Sequence, residues 1–338
     1  MSVQARQTLA EHIPVIDLSP LTSAAIHAAD TGNDSAAGVA AREVAAALHA
    51  ASQGLGFIYI KGHGIPQHCI DDARRCAYDF FRADDEHKAA VSVSAQHRGW
   101  LRPGGARMQD DAPVDLKESF IWGHEDRNGR TESDHPLRGP NQWPGNQPQL
   151  QTSAMHYFRE AHEVAYRLMQ GFALGLDLPA NFFLQRCERP ISRGSFVYYP
   201  PQETRAGEQF GVGPHTDFGV LTVLCQDDVG GLQVQDVKGD WIEAPPMEGT
   251  LVVNVGDLLS RWTEGAYKST PHRVINSSGR ERLSLVLAFD PDPETLIDAR
   301  DVFGPEHIAS QPAISCGDYL LQRFARAFAY RDNPTTTA

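Results

Sequence analysis

The chain has 338 residues, 41% hydrophobic and 22% charged, which excludes a disordered polymer and leaves ample material for a large core. Its 43 acidic residues outweigh 30 basic ones, for a formal net charge of -13, the wrong sign for holding a phosphate backbone, so nucleic acid is not an expected partner. Five cysteines, Cys69, Cys76, Cys187, Cys225 and Cys316, are scattered without a C-x-x-C pair and read as reduced thiols of a cytoplasmic protein. The opening MSVQARQTLAEHIPVIDL lacks the apolar core of a secretion signal, and no stretch reaches the roughly 18 apolar residues of a spanning helix, so no membrane association is expected.

Along the chain, IPVIDLSPL (13–21) reads as a short strand, followed by an Ala/Gly/Ser/Asp-rich stretch to about residue 38 that reads as a loop or insertion. Residues 41–53 have apolar positions at helical spacing and stop at Gly54 and Gly56. GFIYIKGHG (56–64) is a strand closed by a turn, and 68–92 is another helix. From 98 to 150 the chain is rich in Pro, Gly, Asp and Arg, an irregular crossing with KESFIWG (117–123) as its strand-like piece. Residues 148–177 predict a long helix, with Met155, Phe158, Ala161, Val164, Ala165, Leu168 and Phe172 forming its apolar stripe. Between 193 and 290 the pattern becomes seven short β-rich runs separated by turn residues, which predicts an antiparallel sandwich or barrel. The end, 316–330, is helical again.

Chemistry concentrates in the β-rich half. In GPHTDFG (213–219), His215 and Asp217 are two residues apart and so face the same side of an extended segment. His272 in STPHRVIN follows about 55 residues later on another predicted strand. Two histidines and one carboxylate form the facial triad that holds Fe(II) and leaves positions open for other ligands. A zinc hydrolase fits the same three ligands, and a lone His-x-Asp pair arises by chance in many of the chains that, like this one, hold 14 histidines. Ten residues beyond His272, RLSLVLAF (282–289) sets Arg282, Ser284 and Val286 on one strand face and Leu283, Leu285 and Leu287 on the other. Such an Arg and Ser pair fits the distal carboxylate of a dicarboxylic co-substrate.

The order and spacing of HTDFG, the GDLL turn, STPHRV and RLS resemble the isopenicillin N synthase-like branch of the Fe(II)- and 2-oxoglutarate-dependent dioxygenases. IPVIDLS, GFIYIKGHGI, GPNQWP, YYPPQ and GDYLLQRFARAFAYR extend the likeness over most of the chain. The resemblance implies a fold that is mainly β with flanking helices, built on a double-stranded β-helix (jelly-roll) core. It implies a single catalytic domain over 1–338, with an N-terminal α/β region in 1–150, the metal-bearing core in 190–292 and a C-terminal helix in 310–331.

Carried over by residue, it implies that His215, Asp217 and His272 bind iron. Arg282, Ser284 and Tyr199 would then seat 2-oxoglutarate. Val197 departs from the family, standing where many plant members have Asn. The implied cofactors are Fe(II), 2-oxoglutarate as co-substrate, dioxygen, and ascorbate as reductant; the implied reaction oxidises, most simply hydroxylates, a small-molecule metabolite with release of succinate and CO2. Readings of the same family that stay open are an ethylene- and succinate-forming type and an oxidase that uses no 2-oxoglutarate. A jelly-roll binding module without catalysis has no reason to keep the five polar residues together. Phe218, Phe289, Arg98 and Trp100 are candidates to line the substrate pocket, with Arg102 nearby. Asp115, Lys117 and Glu118 read as structural polar contacts, Gly256 and Asp257 as a turn, and His63 as structural. The sequence is silent on oligomeric state.

Overall fold

A computed structural model describes residues 13–106, 115–125, 134–201 and 210–328. The chain runs β1 (Val15–Asp17), α1 (Ser23–Asp30), α2 (Ala36–Gly54), β2 (Phe57–Lys61), α3 (Gln67–Phe81), α4 (Asp85–Ala89), β3 (Gly99–Leu101), β4 (Glu118–Gly123) and α5 (Pro148–Gly175). The β-rich half follows as β5 (Arg193–Tyr199), β6 (Val212–His215), β7 (Leu221–Gln226), β8 (Leu232–Gln235), β9 (Trp241–Glu243) and β10 (Leu251–Val255). Then come α6 (Asp257–Trp262), β11 (His272–Val274), β12 (Arg282–Phe289), β13 (Leu296–Ile297), α7 (Arg300–Phe303), β14 (Ile314–Ser315) and α8 (Cys316–Ala327).

Alternation along the strands builds two cores. Eight strands form one sheet in the order β1-β2-β10-β7-β12-β5-β4-β3, and four form a second in the order β6-β11-β8-β9. On β12, Leu283, Leu285, Leu287 and Phe289 join the cluster that also holds Phe158, Ala161, Ala165, Leu168 and Phe172 of α5. Val197 and Tyr199 of β5 face the other way and pack with Val212, Leu232, Val234 and Val274 of the small sheet. One face of the large sheet is therefore buried under helices and the other under the second sheet, which is why its central strands read as near-continuous apolar runs. This is the expected jelly-roll with flanking helices.

The N-terminal strands β1 to β4 are part of the large sheet: β1 pairs parallel with β2, β2 antiparallel with β10, and β4 antiparallel with β5. The seven β-rich runs between 193 and 290 correspond to β5 and β7 to β12. The structure corrects three expectations. The Ala-rich stretch is helical, because Thr22 and Ser35 accept from Ala25 N and Gly38 N at 3.2 Å and cap α1 and α2 in turn. Alanine is the best helix former, so short side chains here are compatible with close packing rather than a sign of a loop. The helix expected over 68–92 is two, α3 and α4, and β6 and β3 were invisible because their Gly- and Pro-containing segments carry no strand periodicity. Among the described residues no helix is long and apolar enough to cross a membrane.

Leu285 sits in the middle of the large sheet with no exposed surface. Leu285→Ala should cost roughly 2 to 5 kcal/mol through lost burial and the cavity left behind. Urea unfolding measures this, and a midpoint equal to the wild type contradicts the packing described.

Candidate metal centre and adjoining cavity

Strand pairing alone brings the two histidines together. β11 runs antiparallel to β6 with His272 directly opposite His215, and their ring centroids lie 4.3 Å apart. Asp217 follows in the loop after β6 and aims Oδ1 at both: 3.8 Å from His215 Nε2 and 3.7 Å from His272 Nε2. Donors about 2.1 Å from one ion must lie within roughly 4.2 Å of each other, and both spacings satisfy this. Among the described residues this is the group of three such side chains whose ligand atoms all fall within 4.8 Å of one another.

The histidines are held by their far nitrogens. His215 Nδ1 lies 2.8 Å from the Gly213 carbonyl and His272 Nδ1 3.2 Å from the Thr270 carbonyl. A carbonyl only accepts, so each Nδ1 carries the proton and each Nε2 presents a lone pair toward Asp217. Phe57 stands edge-on to His272 at 5.2 Å. Burial, followed by the closeness of the His272 ring, holds His215 well below the ordinary imidazole value and favours its neutral form. Burial pushes the Asp217 carboxyl up, yet the two imidazoles beside it and hydrogen bonds from Asn254 and Thr222 outweigh this and hold it below the usual carboxylate range.

Asp217 is fixed by three hydrogen bonds. Oδ2 accepts from Thr222 Oγ1 at 2.6 Å and from Asn254 Nδ2 at 2.7 Å, which leaves Oδ1 turned to the histidines. Its backbone carbonyl accepts from Asp257 N at 2.7 Å, at the start of α6. Gly256 and Asp257 thus open a helix that grips the metal loop rather than forming the simple turn expected. A Cβ at Gly256 would fall inside contact distance of the Gly219 carbonyl, which explains glycine there. Thr222 and Asn254 were missed, although each is a polar residue interrupting an apolar run, in VLTVLCQ and TLVVNVGD.

A cavity of about 200 Å³ extends from these ligands between the two sheets. In its lining Arg282, with no exposed surface, donates Nε to the Gly230 carbonyl at 2.7 Å, Nη1 to Ser284 Oγ at 2.8 Å and Nη2 to Gln226 Oε1 at 3.3 Å. Its guanidinium lies 4.7 Å from the centre of the Tyr199 ring, its cross-strand neighbour. None of these partners is a carboxylate, and among the described residues Arg282 has no ion pair. A buried cation held only by neutral groups keeps an uncompensated charge, which an anion would offset. Val197 also lines this cavity.

The four substrate-pocket candidates do not line it. Phe289 lies on the helix face of β12 against His162 and Tyr166, a consequence of strand parity. Trp100 likewise faces away, donating Nε1 to Glu118 at 2.7 Å, while its neighbour Leu101 reaches the cavity. Arg98 is buried and donates to the carbonyls of His97 at 3.1 Å and Leu137 at 3.0 Å. Phe218 packs under the Arg323 guanidinium at 4.4 Å, near Phe324. Arg102 is exposed. His63 accepts from Ile65 N at 3.1 Å and does not line this cavity, and Glu118 pairs with Lys88 at 3.0 Å. Lys117, in contrast, does line the cavity.

Comparison with known proteins agrees with this geometry. The chain matches the family model of the 2OG-Fe(II) oxygenase superfamily over residues 191–291 and that of the non-haem dioxygenase in morphine synthesis N-terminal region over 13–146. The 2-oxoglutarate-Fe(II) type oxidoreductase ppzC of Metarhizium rileyi is 31% identical, covering 97% of this chain and 90% of that protein. A homoarginine-6-hydroxylase of Glycine max is 34% identical, with 86% and 88% covered. A full-length Neurospora crassa protein, crystallised in complex with alpha-KG, aligns with a TM-score of 0.79 at 30% identity over 93% of this chain and 96% of that one. The chain belongs to the 2OG-Fe(II) oxygenase superfamily. It is a non-haem iron(II)- and 2-oxoglutarate-dependent oxidoreductase on a double-stranded β-helix core.

Gly256→Ala should destabilise the protein by roughly 1 to 3 kcal/mol, because the added methyl must push α6 off the metal loop. Thermal melting checks this; a variant as stable as wild type would show that the contact at Gly219 relaxes freely.

Proposed function

We propose that His215, Asp217 and His272 hold the ferrous ion, that Arg282, Ser284 and Tyr199 receive the C5 carboxylate of 2-oxoglutarate, and that the enzyme hydroxylates a C–H bond of a small metabolite. The balance is one substrate, one dioxygen and one 2-oxoglutarate converted to hydroxylated product, succinate and CO2. The observation that carries the co-substrate assignment is the fully buried Arg282, which has neutral partners alone and opens onto the same cavity as the ligand triad. The donor set suits the ion: two neutral imidazoles and one carboxylate, on one side, leave further positions for small ligands. When bound, ferrous iron supplies the reaction with dioxygen that oxidises both 2-oxoglutarate and substrate.

The chain's own part is positioning. Gly213 and Thr270 carbonyls orient the imidazoles, Thr222 and Asn254 orient Asp217, and Gln226, Gly230 and Tyr199 hold the Arg282 fork toward the cavity. Ser284 Oγ accepts from Arg282 and so has its own proton to offer a carboxylate oxygen. Small-molecule substrates agree with the size of the cavity and with the Neurospora relative, which has also been crystallised with thymine.

His215→Ala should abolish stoichiometric iron binding and turnover, read by metal analysis and succinate release; retained iron would remove His215 from the ligand set. Arg282→Ala should keep iron and raise the 2-oxoglutarate requirement roughly ten- to a hundredfold, the worth of a charge-assisted hydrogen-bond pair. An unchanged requirement would send the co-substrate carboxylate elsewhere. Asn254→Ala should weaken iron binding by about 10- to 100-fold by freeing Asp217 Oδ2; equal affinity in a chelator competition would contradict that role.

A further inference from the structure

Lys117 immediately precedes β4, one step beyond the Glu118–Tyr198 pair, and so continues across Tyr199 the row that Arg282 occupies on the opposite side. Its side chain is 13% exposed and lines the cavity. Its ion-pair partner is Asp115, at 3.9 Å, beyond hydrogen-bond range. Asp115 Oδ1 accepts from Gly213 N at 3.0 Å, two residues before His215, while Oδ2, the oxygen nearer Lys117, makes no hydrogen bond. Among the described residues the Lys117 ammonium makes no hydrogen bond.

The other two cations of the cavity are committed. Arg193 lies 2.9 Å from the buried Asp290 and rests on the Phe324 ring at 5.0 Å. Arg282 is the anchor assigned to 2-oxoglutarate. Lys117 shares its wall with Ser119 of β4 and Ser195 of β5, and beside them Leu101 and Ile121 supply apolar surface. Asp115 offsets the charge of this ammonium from beyond hydrogen-bond range, so its N–H donors, drawn largely out of water, are left for a carboxylate at about 2.8 Å to satisfy through charge-assisted bonds.

We propose that this wall, centred on Lys117, receives a carboxylate of the substrate being oxidised, so that the substrate class is a small organic acid whose carbon skeleton lies on Leu101 and Ile121. The inference rests on the reading of Arg282 as the 2-oxoglutarate anchor. Lys117 then acts on specificity: it fixes which carbon of the acid stands beside the ligand triad.

The test uses the full chain loaded with Fe(II) and 2-oxoglutarate, screened for succinate release against small organic acids paired with their primary amides. Acids and not amides should stimulate release in the wild type, a result independent of any variant. For the best acid, Lys117→Met should raise KM roughly ten- to a hundredfold, with most of the loss restored by Lys117→Arg and the KM for 2-oxoglutarate unchanged. Equal stimulation by acids and amides, no stimulation by any acid, or an unchanged KM in Lys117→Met overturns the proposal. A raised KM for 2-oxoglutarate instead assigns the ammonium to the co-substrate and overturns it too. A wild type that consumes no 2-oxoglutarate brings down the functional reading itself, and is told apart by that failure.

Discussion

The constraint on which the site depends is the immobilisation of Asp217. A carboxylate in a loop has two oxygens and a free χ angle, and a metal ligand must present one oxygen at one place. Here Thr222 and Asn254, on neighbouring strands of the large sheet, take Oδ2, while Asp257 N takes the backbone carbonyl. The loop that carries Asp217 is thereby tied to β7, β10 and the start of α6. His215 and His272 come from the small sheet, so the three ligands bridge the two sheets. The two sheets must pack together for the three side chains to meet.

The second constraint is electrostatic. Burying Arg282 without an ion pair is expensive, and the cost is tolerated because Gly230, Ser284 and Gln226 satisfy the guanidinium and Tyr199 packs beside it. These groups orient the fork but leave its charge uncompensated. The cavity therefore has the His215, Asp217 and His272 cluster and the uncompensated Arg282 cation in one lining, together with apolar residues such as Leu224 and Val286. A dicarboxylic 2-oxo acid is complementary to both, which accounts for the family's co-substrate in terms of this chain's own residues.

The strand pattern and the motif residues were legible because both are short-range. Period-2 alternation exposed β5, β7, β10 and β12, and Arg-x-Ser needs two-residue spacing alone to share a strand face; His-x-Asp has the same spacing, but Asp217 lies in the loop beyond β6 and not on an extended segment. The partner strand of His272 was not legible: β6 holds Gly213 and Pro214 and carries no alternation, yet it sets His215 opposite His272. Two of the substrate candidates lie off the cavity for a related reason. Trp100 and Phe289 are one residue out of phase with the cavity face, where Leu101 and Ala288 lie instead. For Phe289 the parity was available from Arg282, but an aromatic beside a motif drew the inference. Thr222, Asn254 and Lys117 act across strands far apart in sequence, and short-range pattern does not pair them.

The central claim is that one cavity binds the iron and 2-oxoglutarate together. Anaerobic titration of the apo-protein with Fe(II) and then 2-oxoglutarate tests it directly, through the weak visible charge-transfer band of a 2-oxo acid chelated to ferrous iron. The account predicts a band that requires both components and saturates at one equivalent of each. Iron binding without a band on adding 2-oxoglutarate would contradict it.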